Sequence, residues 1–463
     1  MKKTLFLTGA VTCALFAFQP APAAAETCLL DRDDDGNVDA GSTDNDGGAS
    51  DDSGNDSALA CGVGANASRN GTVAIGQTAA ATAIGATSVG QSSTASGINS
   101  TAVGQDSEAR GGDAVALGRD AFTDGEGASA LGALSDATAD GATAVGERAQ
   151  STGLRSIAIG VGSSSNAGDA IVIGGDRDGD GTGAIATSSA GNSVVIGADA
   201  RSDDVNAVII GRDASHTSAN AVAIGNSAFA RGGSAVSIGN GANTGGSSAL
   251  ALGNSSDAGA TRSIAVGDAS AGADRAVAVG DLAQATAINA AAFGADANAS
   301  GENSAALGSG AAASGSSATA LGVSANAQGN ASVAIGPNAF TLSSSGIAIG
   351  TNSESRNVGA IAIGAFADGV GTRATAVGDD ADATAASASA FGNKAKATGA
   401  GSTAIGTGTQ ASGENAAAFG RNAQATDADA LALGSSANAA GSAAISIGLN
   451  SQVTAENAAA FGV

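Results

Sequence analysis

Two stretches of this chain place aspartates at alternate positions, and this spacing suits a divalent cation. The first has carboxylates at Asp31, Asp33 and Asp35, then a glycine, and then Asp39. Carboxylate oxygens are hard ligands of the kind that Ca²⁺ prefers, and a glycine permits the tight bend of a loop around the ion. An aspartate-rich segment with few apolar residues is also typical of a disordered linker. We therefore predict a calcium loop within the acidic segment 26–56, with a plain acidic linker as the alternative.

The second stretch repeats this spacing with Asp176, Asp178 and Asp180. It interrupts a regular fourteen-residue repeat, so residues 175–183 are expected to leave the repeat as a surface loop that carries function. The first stretch resembles the calcium loops of EF-hand and thrombospondin type 3 repeats, although Ser42 stands where an EF-hand has its last glutamate. We predict Ca²⁺ as a cofactor at both loops, with the fewer local carboxylates at the second.

Residues 1–25 have the features of a secretory signal peptide, namely Lys2 and Lys3, a short apolar stretch, and small residues before the cleavage site. No later stretch reaches the roughly 18 apolar residues that a membrane-spanning helix needs, so we expect an exported chain without direct membrane insertion. Outside the cell a disulfide between Cys28 and Cys61 is expected. Alternatively, Cys61 is an ordinary core residue of the first repeat unit, because its phase matches that position.

The composition argues against nucleic-acid binding and against catalysis. The chain carries a net charge of −24, and such a surface repels phosphate. The single histidine, His216, has no assignable nucleophile or paired carboxylate beside it, so we interpret it as structural. The glycine-rich stretches are turns of a repeat, because no helix follows them to hold a phosphate. We therefore predict that the protein is not an enzyme.

A bulky apolar residue followed by glycine recurs every fourteen residues along most of the chain. The pairs include Val89-Gly90, Val103-Gly104, Ile224-Gly225, Ile335-Gly336 and Phe461-Gly462. A fixed period this short, without helical spacing inside it, predicts a stack of small β-coils. We predict an all-β solenoid over residues 57–463, with an insertion at about 175–183.

The repeat predicts two strands in each coil. We call the repeated glycine the marker glycine and number positions from it. Position −1 holds a large apolar residue, position −3 holds Val, Ile, Leu, Thr, Ser or Ala, and position −2 is mostly alanine. Side chains alternate along a strand, so −1 and −3 share a side opposite to −2. We expect the residue at −1 to fill the interior and the alanines at −2 to face other copies, because a long apolar face is unusual on a soluble monomer.

The second strand of each coil is predicted to have one buried face and one solvated face. Positions +3 and +5 are small, whereas +4 is mostly polar and differs from coil to coil. Phe122, Phe229 and Phe340 interrupt this polar row, and we interpret them as isolated surface aromatics in preference to ligand contacts. The mixed polar row also lacks the regular lattice that an ice-binding surface would need.

Units such as 220–230, 331–339 and 359–367 resemble YadA-type head repeats of trimeric autotransporter adhesins. The resemblance covers about residues 57–463. It implies a left-handed parallel β-roll, a homotrimer, and a secreted or cell-surface adhesin of a Gram-negative bacterium. It also implies attachment to host or environmental surfaces, through a ligand such as a glycan or an extracellular matrix protein that the sequence does not identify.

The chain departs from that family in one respect. Family members continue from the head into a neck, a heptad-patterned stalk and a C-terminal membrane anchor, whereas this sequence ends within the repeats at Val463. A released head, a truncated gene model and an anchor supplied elsewhere are all compatible with this ending. A structural subunit of an extracellular filament, formed by end-to-end stacking of solenoids, is the alternative function.

Overall fold

The computed structural model describes residues 58–462, and every helix or strand assigned within this range is a β-strand. The chain forms two compact units, one that ends at Thr123 and one that begins at Asp124. Each coil has a long strand of three residues before the marker glycine and a short strand of two residues after it. No helix long and apolar enough to cross a membrane occurs among these residues.

The first unit, from residue 58 to 123, contains five long and five short strands. Its long strands are Leu59–Cys61, Val73–Ile75, Thr87–Val89, Thr101–Val103 and Val115–Leu117. Its short strands are Asn66–Ala67, Ala80–Ala81, Thr94–Ala95, Glu108–Ala109 and Phe122–Thr123.

The second unit, from residue 124 to 462, repeats the same pair of strands many more times. Its long strands are Ser129–Leu131, Thr143–Val145, Ile157–Ile159, Ile171–Ile173, Val194–Ile196, Val208–Ile210, Val222–Ile224, Val236–Ile238, Leu250–Leu252, Ile264–Val266, Val277–Val279, Ala291–Phe293, Ala305–Leu307, Thr319–Leu321, Val333–Ile335, Ile347–Ile349, Ile361–Ile363, Thr375–Val377, Ser389–Phe391, Thr403–Ile405, Ala417–Phe419, Leu431–Leu433, Ile445–Ile447 and Ala459–Phe461. Its short strands are Asp136–Ala137, Gln150–Ser151, Ser164–Ser165, Ile185–Ala186, Arg201–Ser202, Ser215–His216, Phe229–Ala230, Asn243–Thr244, Asp257–Ala258, Ser270–Ala271, Gln284–Ala285, Asn298–Ala299, Ala312–Ala313, Asn326–Ala327, Phe340–Thr341, Glu354–Ser355, Asp368–Gly369, Asp382–Ala383, Lys396–Ala397, Gln410–Ala411, Gln424–Ala425, Asn438–Ala439 and Gln452–Val453.

Successive coils stack through parallel, in-register strand pairs. The strand Val333–Ile335 pairs with Ile347–Ile349, residue for residue, fourteen positions further on. The N–H of a marker glycine donates to the carbonyl of position −1 in the coil before it, as Gly350 does to Ile335 at 2.8 Å. Both units are therefore parallel β-solenoids with coils of about fourteen residues, as the period predicts.

The interior of the coils is lined by small side chains. In every described long strand except the last, the middle residue at −2 is buried and its two neighbours are at least partly exposed. Ala223, Ala334 and Ala362 have no exposed surface even in a single chain. The prediction that these alanines face other copies, with the residue at −1 inside, is therefore wrong. Two strands so close together leave room for small side chains only, and the larger residues must point outward.

The marker glycine is required by both its conformation and its surroundings. Gly239 has a φ of +143°, which L-residues rarely adopt. A Cβ on Gly239 would lie 2.0 Å from the carbonyl oxygen of Gly253 in the next coil. The glycine thus allows both the turn and the close approach of stacked backbones.

In coils of regular length, both turns also contain a residue in the left-handed region, two and nine positions after the marker glycine. Asn, Asp and Ser occupy most of these positions, because their short polar side chains tolerate this conformation. Side-chain amides also stack from coil to coil at the turns. Asn226 donates to Asn240 at 2.9 Å, and Asn240 donates to Asn254 at 3.0 Å.

One coil of the second unit is nine residues longer than the regular coils. Its long strand Ile171–Ile173 still pairs in register with Val194–Ile196, so the extra residues do not disturb the stack. Residues 175–183 form no strand. The interior beside this coil holds larger side chains than elsewhere, since Val172, Val195 and Ile209 occupy position −2 and are fully buried.

Candidate functional site: an apolar face and an aspartate loop

Within each unit the outward side chains of the long strands form a continuous surface, which we call the apolar face. It consists of positions −1 and −3 of each coil. In the second unit, Leu321, Phe391 and Leu433 at position −1 are each about two-fifths exposed, at 44%, 39% and 44%. In the first unit, Val89, in register with Val103, is partly exposed in the same way.

No charged residue occupies the apolar face in the described coils of either unit. Position −3 holds Val, Ile, Leu, Ala, Thr or Ser, and position −1 holds Ile, Val, Leu, Phe or, once, Cys61. In-register pairing places the same position of neighbouring coils side by side, so these residues form two unbroken rows within each unit. Contiguous apolar surface of this extent marks an interaction site in soluble proteins, because exposing it to water is unfavourable.

The opposite surface is formed by position +4 of the short strands, and we call it the short-strand face. It carries the charged side chains that the apolar face excludes, such as Glu354, Asp368 and Asp382 in three successive coils. The pKa of Asp368 is raised because burial and the neighbouring carboxylates of Glu354 and Asp382 disfavour its charged form. In the next coil, Lys396 Nζ lies 2.8 Å from Asp382 Oδ2.

The phenylalanines that interrupt this row are partly buried at the first position of a short strand. The guanidinium carbon of Arg231 lies 4.5 Å from the ring centre of Phe229, and that of Arg110 lies 4.9 Å from the ring centre of Phe122. Arginine therefore covers two of the three rings, which is consistent with isolated surface aromatics.

The aspartate loop at residues 175–183 brings three predicted ligands together. One carboxylate oxygen from each of Asp176, Asp178 and Asp180 lies within 4.8 Å of the others. Backbone amides hold the loop in this conformation, because Gly179 and Gly181 donate to Asp176 at 2.7 and 2.8 Å. The donor set, three carboxylates in a tight loop, fits a hard divalent cation such as Ca²⁺.

Thr182 and Asp199 lie beside the predicted ligands, although the sequence did not identify them as site residues. Asp178, Asp180, Thr182 and Asp199 line one depression of about 200 Å³. Asp199 comes from the next coil, two residues after its marker glycine. The signal that could have identified it is the coil register, which returns the chain to the same side one coil later.

Two carboxylates that line this depression, Asp180 and Asp199, have pKa values shifted in opposite directions. Hydrogen bonds from the hydroxyl and the N–H of Thr182 lower the pKa of Asp180. Burial raises the pKa of Asp199, and Asp178, Asp213 and Asp176 add to this increase by charge repulsion. A bound cation would relieve that repulsion, because it is a larger local charge than any side chain.

Several predicted site residues lie outside the described part of the chain. These are Asp31, Asp33, Asp35, Asp39 and Cys28, whose calcium and disulfide assignments stay predictions. Cys61 lies at position −1 of the first described coil, in register with Ile75, and is partly exposed. Position −1 faces outward, so Cys61 is not a core residue.

His216 lies inside its coil with no exposed surface. Its Nε2 lies 2.7 Å from Ser202 Oγ and accepts from the N–H of Asp203 at 3.2 Å. Its Nδ1 lies 2.9 Å from the carbonyl of Ser218, which only accepts, so Nδ1 carries the proton. Protein groups satisfy both ring nitrogens, as expected of a structural histidine.

Comparison with known proteins supports the repeat assignment. The chain matches a family model described as the YadA head domain repeat at residues 54–79, 81–107, 109–135, 137–163, 151–176, 245–270, 271–296, 285–311, 313–339, 344–367, 370–395, 383–409 and 411–437. No curated protein matches the chain. The matches omit residues 177–244, which include most of the aspartate loop and the coils with His216 and the fully buried Val195 and Ile209.

Proposed function

Because the chain belongs to the family of YadA head domain repeats, we propose that it is a non-enzymatic adhesin head in which three copies pack their apolar faces around a common axis. The observation that carries this proposal is the uninterrupted, uncharged apolar face, which a single chain leaves partly exposed. Burying this face between copies removes apolar area from water at roughly 25 cal/mol per Å² before the costs of association.

The distribution of charge supports the same arrangement. In the described coils the charged side chains lie on turns and on the short-strand face, so copies that meet through the apolar face keep these charges apart. The turns and the short-strand face then remain available for attachment to a host or environmental surface. The proposal includes export by the signal peptide at residues 1–25 and a location at the surface of a Gram-negative bacterium.

The aspartate loop has a separate proposed role. We infer that Asp176, Asp178 and Asp180 bind Ca²⁺, which would order the inserted loop without altering the coils beneath it. Loops on a rigid scaffold are common sites of recognition, so a calcium-ordered loop suits an adhesin. The ion would supply only charge and coordination.

The trimer is tested by measuring the mass of the purified chain by light scattering, with and without two charges on the apolar face. Ile335→Asp combined with Ile349→Asp places carboxylates at position −1 of neighbouring coils. We expect a trimer for the wild type and monomers for this variant, because burying unpaired charge is costly. The matched control, Asn326→Asp with Gln328→Glu, adds the same charge away from the apolar face and should stay trimeric.

A wild-type chain that is monomeric at all concentrations would overturn the proposal. The adhesin role is tested on the same samples by binding of the labelled protein to cultured cells and to surfaces coated with extracellular matrix. Absence of binding, together with long fibres in electron micrographs, would instead support the filament alternative.

A further inference from the structure

One coil of the second unit is a residue shorter than its regular neighbours. Its marker glycines, Gly267 and Gly280, are thirteen positions apart. The missing residue belongs to the first turn, because the short strand Ser270–Ala271 begins three residues after its glycine, whereas Gln284–Ala285 begins four residues after its own. The turn is correspondingly distorted, since Gly267 has a φ of +95° and Gly280 one of +136°.

The missing residue interrupts the row of stacked turns that follow the marker glycines along the solenoid. In regular coils, the residue two positions after the marker glycine donates its N–H to the preceding coil, as Ser255 does to Asn240 at 2.9 Å. Leu282 makes the same bond to Asp268 at 2.8 Å. The short coil has no such residue, and no backbone hydrogen bond among the described residues ends on the carbonyl of Asn254.

A depression of about 220 Å³ occupies this gap. Ser255 and Leu282 lie on either side of it, in the coils before and after the short one. Side chains of the short-strand face complete its lining, namely Asp257, Ser270 and Gln284, which follow one another in register. The exposed Asp268 also lines the depression.

The lining combines three kinds of chemistry within a small space. Asp257 and Asp268 supply acceptors, and Asp257 is held in place because Asn243 donates to its Oδ1 at 2.8 Å. The serine hydroxyls and the amide of Gln284 can both donate and accept. Leu282, which is 54% exposed, supplies an apolar wall.

We propose that this depression binds one ring of a neutral sugar on the surface to which the protein attaches. Sugar hydroxyls donate and accept at once, and the C–H face of the ring is apolar, so this ligand uses every group of the lining. An acidic sugar or a phosphate would be repelled by the two carboxylates. A lysine side chain would use the carboxylates alone, since an ammonium group only donates.

The size of the depression sets the expected strength of binding. Pockets for drug-sized ligands measure about 300–1,000 Å³, so a depression of about 220 Å³ accommodates a single ring and binds it weakly. The inference rests on the proposed adhesin function, in which each copy of a trimer contributes one such site. Three linked weak sites can hold a glycan-coated surface by avidity.

Saturation-transfer NMR on the full chain tests the inference directly. The probes are glucose, galactose, mannose and N-acetylglucosamine, each measured with the wild type and three variants. Insertion of one serine after Asp268 restores the fourteen-residue period and fills the gap, and Leu282→Ser removes the apolar wall. The matched control, Leu134→Ser, changes the same turn position in a coil of regular length, beside Asp136 and in the same positive-φ conformation.

We expect saturation transfer to at least one sugar, reduced at least tenfold by the insertion and by Leu282→Ser and unchanged by Leu134→Ser. Absence of transfer to all four sugars, or transfer that survives the insertion, would overturn the inference. Binding of a lysine-containing peptide in place of any sugar would also overturn it. A trimer that still adheres to cells but binds none of these sugars would leave the proposed function standing.

Discussion

His216 occupies an interior position that most other described coils give to alanine, serine or threonine. Burial lowers its pKa from the usual 6.5, an effect larger than the opposing influence of the hydrogen bond to the Ser218 carbonyl and of the charges of Asp203 and Asp204. The unfolded chain therefore takes up a proton near pH 6.5, whereas the folded ring stays neutral to lower pH. Because the unfolded state then binds more protons, the stability that this side chain contributes falls as the pH drops below about 6.5.

We predict that His216→Thr makes the surrounding coils less sensitive to acid. Hydrogen exchange of the coils around residue 216, measured from pH 8 to pH 5, should show the wild type losing more protection than the variant below about pH 6.5. Equal losses in the two proteins would show that His216 does not control this response.

The marker glycines give a second prediction at the scale of single residues. Gly239→Ala would place a Cβ 2.0 Å from a carbonyl oxygen at a φ of +143°, so we expect a loss of at least about 2 kcal/mol. Gly241 is a suitable control, because it has a φ of +64° and nothing within 4 Å of its added Cβ. Gly241→Asn should change stability little, since asparagine tolerates this conformation. Urea unfolding followed by hydrogen exchange distinguishes the two.

At the scale of the strand, the sequence predicted most of the coil but not which side of the long strand is inside. Alternation shows that positions −1 and −3 share a side opposite to −2, but it does not say which side faces the interior. The sizes of the side chains show which side faces the interior. In most coils positions −4, −2, +3 and +5 are all small, as at Ala388, Ala390, Ala395 and Ala397, and rows of small side chains must face one another across a narrow interior.

The corrected orientation predicts different effects at an interior and an outward position of successive coils. Ala334→Leu adds bulk to a filled interior and should cost about 1–3 kcal/mol, whatever the protein concentration. The control Asn326→Leu adds a similar side chain to the short-strand face and should be nearly neutral. Hydrogen exchange of peptides from residues 319–349 reports the local stability. If both substitutions cost the same, the interior does not lie at position −2.

The aspartate loop marks the limit of sequence reasoning about the site. The alternating pattern predicted Asp176, Asp178 and Asp180 as ligands, and the three carboxylates do lie together. Asp199 was missed because it is distant along the chain and becomes a neighbour only through the coil register. A solenoid converts a separation of one period into adjacency, so the search for ligands must extend one coil in each direction.

At the scale of the whole molecule, calcium should act locally. Each coil packs on its neighbours, and the coils on either side of the inserted loop pair in register. Ion binding in the loop should therefore not stabilise the stack as a whole. We predict that calcium at a hundred times its dissociation constant adds about 2.7 kcal/mol to the ordering of the loop. Limited proteolysis with calcium or with a chelator should show protection at residues 175–183, and at 31–46 if the first loop also binds.

The variant Asp178→Asn with Asp180→Asn should lose the calcium-dependent protection at residues 175–183. Asp296→Asn is the control, because Asp296 is an exposed aspartate in the turn of a coil of regular length, away from the aspartate loop. Asparagine tolerates the positive φ of this turn position. A cleavage pattern that ignores calcium in the wild type would contradict the prediction.

The hydrogen bonds between coils also determine how the second unit responds to tension. These hydrogen bonds lie parallel to the axis of the stack. A force that pulls the end of the chain along this axis therefore breaks the bonds of the outermost coil first and then those of each following coil. Each coil that is peeled away releases about 45 Å of chain, because fourteen extended residues replace one strand spacing. A tethered head would therefore lengthen in small steps under flow and recoil when the load is removed, with the coils that remain acting as the template for rewinding.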